Sequence, residues 1–188
     1  MAIIHSPQDI QNSLHEWFKK NGRHWIPWKL KQDGSIPQSG ESISPYEIWI
    51  AEVMLQQTQL KVVIPYWKKW MRVFPTLTCL AETDLENVLM IWQGLGYYSR
   101  ANRIHQASKI LSEFIGKNID QDPHAWPNKI DQWTSLPGIG RSTAGSIISS
   151  AFDLPTPILD GNVKRIFSRL LATEKKPQKN EKKLWEFS

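Results

Sequence analysis

The chain has 188 residues, enough for one domain or for one domain with part of a second. Hydrophobic residues make up 40% and charged residues 22%; this balance excludes disorder, and no apolar run approaches the roughly 20 residues of a membrane span. Formal net charge is +5, and residues 161–188 alone hold eight basic against three acidic groups, a pattern that suits either a polyanion such as DNA or a solvated helix face.

In chain order, Ser6-Pro7 reads as an N-cap and first helical residue of a helix to about residue 20, with Leu14, Trp17 and Phe18 as its apolar stripe. Asn21-Gly22 stops it. Residues 29–45 are rich in Gly, Ser and Pro and read as a loop. One helix is expected over 46–59. A second is expected over 61–73, with Pro65 near its first turn, where proline is tolerated. A short amphipathic helix, capped by Thr83, is expected over 84–92, and a longer one over 99–115. Residues 122–127 read as a turn. Helices over 130–135, 142–152 and 163–171, a loop over 175–180 and a last helix from Glu181 complete the set. No stretch alternates as a strand does and no repeat is present, so the fold class is all-α. The chain ends inside the last helix, so further chain is expected beyond Ser188.

Cys79 is the single cysteine. It cannot form an internal disulfide or a multi-cysteine metal site, so no metal is expected on this chain. Its expected place is a small buried packing position, in a reducing compartment. The N-terminus lacks the pattern of a secretory leader, and a cytoplasmic protein is expected.

Three features carry chemistry. Leu136-Pro137-Gly138-Ile139-Gly140 joins two expected helices, and Arg141 and Ser142 open the second. Glycines permit a sharp turn, and the first amides of a helix attract an anion, so the hairpin can cradle a DNA phosphate with help from Arg141. A plain helical connection would read the same way. Glu52 lies in an apolar helix with Ile48, Trp49 and Leu55 as helical neighbours. Burial would raise its pKa and keep it protonated, as a general acid requires; the alternative is a glutamate facing solvent. Asp160 precedes the helix that begins near Val163. It suits an N-cap, or a carboxylate facing a developing positive charge. Two carboxylates of different character are what glycoside cleavage uses.

Glu52-Val-Met-Leu-Gln-Gln-Thr58-Gln, Gly94-Leu-Gly-Tyr-Tyr-Ser-Arg100, Leu136-Pro-Gly-Ile-Gly-Arg-Ser-Thr-Ala-Gly145 and Ile158-Leu-Asp-Gly-Asn-Val-Lys-Arg165 together resemble, in order, the MutY family of adenine DNA glycosylases, within the helix-hairpin-helix superfamily. The resemblance implies a helix-hairpin-helix glycosylase fold. A six-helix barrel module would occupy 26–155, with its hairpin at about 130–150. Residues 1–25 and 156–188 would form part of a second, iron–sulfur-type module. No cofactor is expected on this chain; the four cysteines of a 4Fe-4S cluster would lie beyond Ser188, as would a domain reading 8-oxoguanine. The long loop over 31–44 resembles an insertion.

The resemblance also implies roles. Glu52 would protonate adenine and then assist water, Asp160 would stabilise the oxocarbenium ion, and Asn162 would support Asp160. Gln57 and Tyr97 would wedge into the base stack. Gln56, Thr58, Leu136, Gly138, Ile139, Gly140, Arg141 and Lys164 would contact DNA, and Ile26 and Trp28 would help line the adenine pocket. Ser142 stands where endonuclease III-type enzymes have a Schiff-base lysine, which implies a monofunctional enzyme. The implied partner is double-stranded DNA with adenine opposite 8-oxoguanine or guanine, bound by a monomer in the cytoplasm, at the nucleoid of a bacterium. A thymine-mismatch glycosylase and a non-enzymatic DNA-binding module are the competing readings.

Overall fold

The computed structural model describes residues 6–116, 125–173 and 177–188. Among these the protein is all-helical: α1 (Pro7–Asn21), α2 (Pro45–Leu55), α3 (Leu60–Val73), α4 (Leu77–Glu82), α5 (Leu85–Trp92), α6 (Ser99–Ile115), α7 (Ile130–Thr134), α8 (Arg141–Phe152), α9 (Gly161–Leu170) and α10 (Glu181–Phe187), with 3-10 turns at Pro27–Lys29 and Pro177–Asn180.

Local chemistry sets the helix starts. At α1 the Ser6 hydroxyl accepts from the Asp9 amide (3.1 Å) while the Asp9 carboxylate accepts from the Ser6 amide (3.0 Å), a reciprocal capping box. Ser44 caps α2 and Thr76 caps α4 in the simpler way, through one hydroxyl each. The Gly, Ser-rich loop before α2 is closed by Lys31 against Glu41 (3.1 Å). It is moored to the far end of α8, where the Asp153 carboxylate accepts from Ser39 Oγ (3.0 Å) and the Gly40 amide (2.8 Å).

Helix α2 is the centre. Tyr46, Ile48, Trp49, Ile50, Ala51, Val53 and Met54 are all buried, so it is apolar on nearly every side and has neighbours all round: α8, α3, α6 and the Pro27–Lys29 turn. Trp28, Trp49, Trp70, Trp92 and Trp133 are fully buried, each worth about 3 kcal/mol or more against truncation to Ala. Several indole N–H groups are paired: Trp70 with Tyr46 Oη (3.1 Å), Trp92 with Gly96 O (2.9 Å) and Trp133 with Pro127 O (2.8 Å). The main core runs from Ile26 to Ala151. Outside it, Leu14, Trp17 and Phe18 of α1 and Ile166 and Leu170 of α9 are exposed, so the stripe read on α1 has no cover here.

Several expectations are corrected. The helix expected over 46–59 ends at Leu55, because Gln57 takes φ 59°, a left-handed conformation that breaks the helical path. Helix α3 starts at Leu60, which places Pro65 inside it rather than in its first turn. A helix unread in the sequence, α4, buries Leu77 and Leu80 three residues apart and turns Cys79 outward. The lone thiol is therefore exposed, not a core group. Thr83 is the C-cap of α4, and Asp84 is the N-cap of α5. Of the loop expected over 175–180, residues 177–180 form a 3-10 turn and 175–176 lie outside the described residues. So do 122–124 of the expected turn.

The close approach that matters most is at Gly145. A Cβ there would collide with Pro157 O. The chain returning from α8 thus runs against the helix surface, held also by Thr156 Oγ1 donating to Gly145 O (2.8 Å) and by the Leu159 amide donating to Ser142 Oγ (3.0 Å). Gly145→Ala should lower stability by about 1–3 kcal/mol through overpacking, despite alanine's better helix propensity. Thermal unfolding followed by circular dichroism checks this, and an unchanged midpoint contradicts the close-packing account.

Candidate active site and its family

Glu52 lies seven residues beyond the start of α2, on the side that meets α8 and the Pro27–Lys29 turn. It is half-buried, and three other groups act on it. Burial pushes its carboxyl pKa up. A hydrogen bond from Ser146 and the charge of Lys29 oppose that rise, and the charge of Asp160 adds to it. The two carboxylates singled out in the sequence, 108 positions apart, are thus electrostatic neighbours.

Asp160 is exposed and serves as the N-cap of α9, accepting from the Val163 amide (2.8 Å). The capping alternative is therefore real, and it coexists with the placement beside Glu52. One oxygen is occupied by the cap while the helix N-terminus favours negative charge there. Ser142 holds the chain one residue before it, through the Leu159 amide. The Asn162 side-chain oxygen accepts from Arg165 Nη2 (3.4 Å), a contact within α9.

The structure distributes the remaining residues unevenly. Gln56 is the C-cap of α2 and Gln57 projects from the turn after it, exposed. Thr58 Oγ1 accepts from Arg100 Nη2 (3.2 Å). Tyr97 is exposed at φ 50°, so both residues read as wedges hold backbone conformations that side chains disfavour. In the hairpin, Gly138 takes φ 82°, available to glycine without cost. Gly140 is the N-cap of α8 and offers no side-chain cap, which leaves the first amides of that helix facing outward. The side chains of Leu136 and Ile139 are buried, and the Ile139 amide is already bonded to Leu136 O (3.3 Å). Those two anchor the turn from inside. Arg141 lies over the Trp185 ring, 4.1 Å from its centroid, and Lys164 pairs with Glu181 (2.8 Å), so α10 meets both cations. Ile26 and Trp28 are buried, with Trp28 packed on Trp67 at 5.4 Å; they back the turn from which Lys29 reaches Glu52.

Three residues went unnoticed in the sequence. Lys29 and Ser146 act on Glu52. Ser146 was detectable in principle, since it follows Ser142 by one helical turn and so shares its face. Arg100 is buried, with its guanidinium on backbone carbonyls of both the α2 end and the Leu95–Gly96 loop. A cleft of about 680 Å³ opens at the other end of α2, around Glu47, Trp67 and Trp126, and does not include Glu52. With one cysteine in the chain, exposed on α4, the residues present do not fit a four-thiolate cluster.

Comparison with known proteins shows the family and the fold. The chain is 40% identical over 174 residues to the adenine DNA glycosylase of Buchnera aphidicola subsp. Baizongia pistaciae, covering 92% of this chain and 44% of that protein. It is 36% identical over 178 residues to the human adenine DNA glycosylase, covering 94% and 31%. The chain therefore spans less than half the length of these relatives. In fold it is similar to endonuclease III from a non-covalent DNA complex (TM-score 0.67, 23% identity, 97% of this chain and 78% of that one). It is similar also to a thermostable thymine-DNA glycosylase (TM-score 0.71, 18% identity, 96% and 75%). The model of the HhH-GPD superfamily of base excision DNA repair proteins matches residues 50–188, which include both carboxylates and the hairpin, and the chain belongs to that family.

Proposed function

We propose that this chain is the catalytic part of a monofunctional adenine DNA glycosylase, hydrolysing the N-glycosidic bond of adenine opposite 8-oxoguanine or guanine. The observation that carries the reading is the pairing of unlike carboxylates: Glu52 with its pKa raised by burial, and Asp160 exposed and capped at a helix start. The names of the relatives supply the base.

The roles follow from the environments. Protonated Glu52 gives its proton to a ring nitrogen of the extruded adenine as the C1′–N9 bond breaks, and the bonding pair leaves with the base. Positive charge then grows on the sugar, facing the Asp160 carboxylate. The Glu52 carboxylate next takes a proton from water as its oxygen bonds to C1′, which restores the starting acid. The base must leave the stack first, since the bond is inaccessible inside it. The outward amides of α8 at Gly140 and Arg141 support a phosphate contact that fixes register without reading sequence. Ser142, engaged with the Leu159 amide, supplies no amine for a Schiff base. The run of the main core from Ile26 to Ala151 supports a barrel module at 26–155, with α1, α9 and α10 in a second one. A monomer acting at the bacterial nucleoid completes the reading.

Single-turnover adenine release from a duplex with adenine opposite 8-oxoguanine should fall about 10²–10⁴-fold in Glu52→Gln. Equal rates in the two proteins would sink the assignment. Borohydride added during turnover should trap no protein–DNA adduct, and a trapped band would show amine chemistry that Ser142 cannot supply.

Stability should carry the same signature. A carboxyl whose folded pKa is raised stabilises the fold fully below the ordinary carboxylate pKa and loses that contribution as pH rises through the raised value. Glu52→Gln should therefore match the parent near pH 4 and become the more stable protein at neutral pH. Each tenfold change in the ionisation equilibrium is worth about 1.4 kcal/mol. Chemical denaturation at the two pH values checks this, and a stability gap that stays constant with pH contradicts the burial of Glu52.

A further inference from the structure

We infer that Arg100 is a positioning residue that clamps two separate strained segments, the turn after α2 and the loop before α6, into one rigid edge bearing Gln57 and Tyr97. The inference rests on the glycosylase reading for what that edge does, and on geometry alone for the clamp.

Arg100 is 6% exposed, yet its guanidinium has acceptors on both sides. Nη1 donates to Val53 O (3.1 Å), Met54 O (2.9 Å) and Gln56 O (2.5 Å), which are carbonyls at the end of α2. Nη2 donates to Thr58 Oγ1 (3.2 Å), Leu95 O (3.5 Å) and Gly96 O (3.3 Å), so the same planar group spans to the second segment. The cation also lies 5.2 Å from the Trp92 ring centroid and 5.4 Å from that of Tyr97. The last carbonyls of a helix have no partners of their own, and a cation suits its negative end.

The two residues flanking this clamp are the informative ones. Gln57 at φ 59° and Tyr97 at φ 50° are non-glycine residues in the left-handed region, both exposed. Such conformations cost free energy and persist only where the surroundings over-determine them. Arg100 is what the two sites share. Glu52 sits one helical turn before Gln56, so the clamped edge borders the reacting carboxylate. A rigid edge displaces a stacked base at less cost than one that must be ordered on contact.

The test uses Arg100→Lys, which keeps charge but not the planar fork, and Tyr97→Ala, which keeps the hydrogen bonds of the clamp and removes one of the side chains it holds. Adenine release is measured on two duplexes: adenine opposite 8-oxoguanine, and adenine opposite an abasic site, where the base is already loosened. Both variants should lose about 10- to 100-fold on the first duplex and less than about threefold on the second, since only the first requires full unstacking. Equal losses by Arg100→Lys on the two would show a general structural role and overturn the proposal. Amide hydrogen exchange on the free protein is the independent arm. Arg100→Lys should speed exchange at 56–58 and 95–97 together while α8 is unchanged; unaltered exchange, or acceleration throughout the chain, also overturns it. A parent chain that releases no adenine from either duplex would refute the glycosylase reading, and the exchange arm would still decide the clamp.

Discussion

The contact on which the site depends is the one between α8 and the chain that returns across it. At Gly145 the helix has no side chain, and Pro157 O occupies the space a Cβ would need. Ser142 and Thr156 lock that approach with one hydrogen bond each. The chain leading to the α9 N-terminus is thereby held against α8, and the charge of Asp160 is felt at Glu52. A wider gap would leave two carboxylates on one protein with no electrostatic relation. Ser142 and Ser146, one helical turn apart, serve the two halves of the arrangement: the first holds the segment bearing Asp160, the second reaches Glu52.

The same packing makes the two acids different. Glu52 belongs to a helix enclosed on almost every side, so desolvation is the largest influence on it. Asp160 stands at the surface with an amide and a helix N-terminus to answer its charge. On the proposed reading, the acid and stabiliser roles are divided by environment rather than by residue type. Lys29 and Ser146 favour the ionised form of Glu52, while burial, the largest influence, and Asp160 favour the neutral one.

Basic groups near the hairpin are less free than their number suggests. Arg141 rests on Trp185 and Lys164 on Glu181, both within α10. A partly exposed pair such as Lys164–Glu181 contributes little to stability. Arg141 lies over the Trp185 ring at the start of α8, where no side chain caps the helix.

Much of this was legible in the sequence because it is local. The helix start at Ser6, the glycine turn at Gly138 and the apolar surroundings of Glu52 follow from spacing and residue type. What failed was also local in appearance but decided elsewhere. The helix expected to run through Gln57 stops at the left-handed backbone there, where the carbonyls at its end are bonded by Arg100, more than forty positions away. Helix α4 was missed because six residues hold too few apolar positions to show a period, and Cys79 faces out because Leu77 and Leu80 take the inside. By itself the chain determined an all-helical class, a phosphate-suited hairpin and two candidate acids, since these rest on propensity, capping and short-range pattern. Only the tertiary structure decided that Asp160, Lys29 and Ser146 all act on Glu52, and that one arginine serves two segments. Those facts depend on which surfaces of distant helices touch, and no periodicity encodes that.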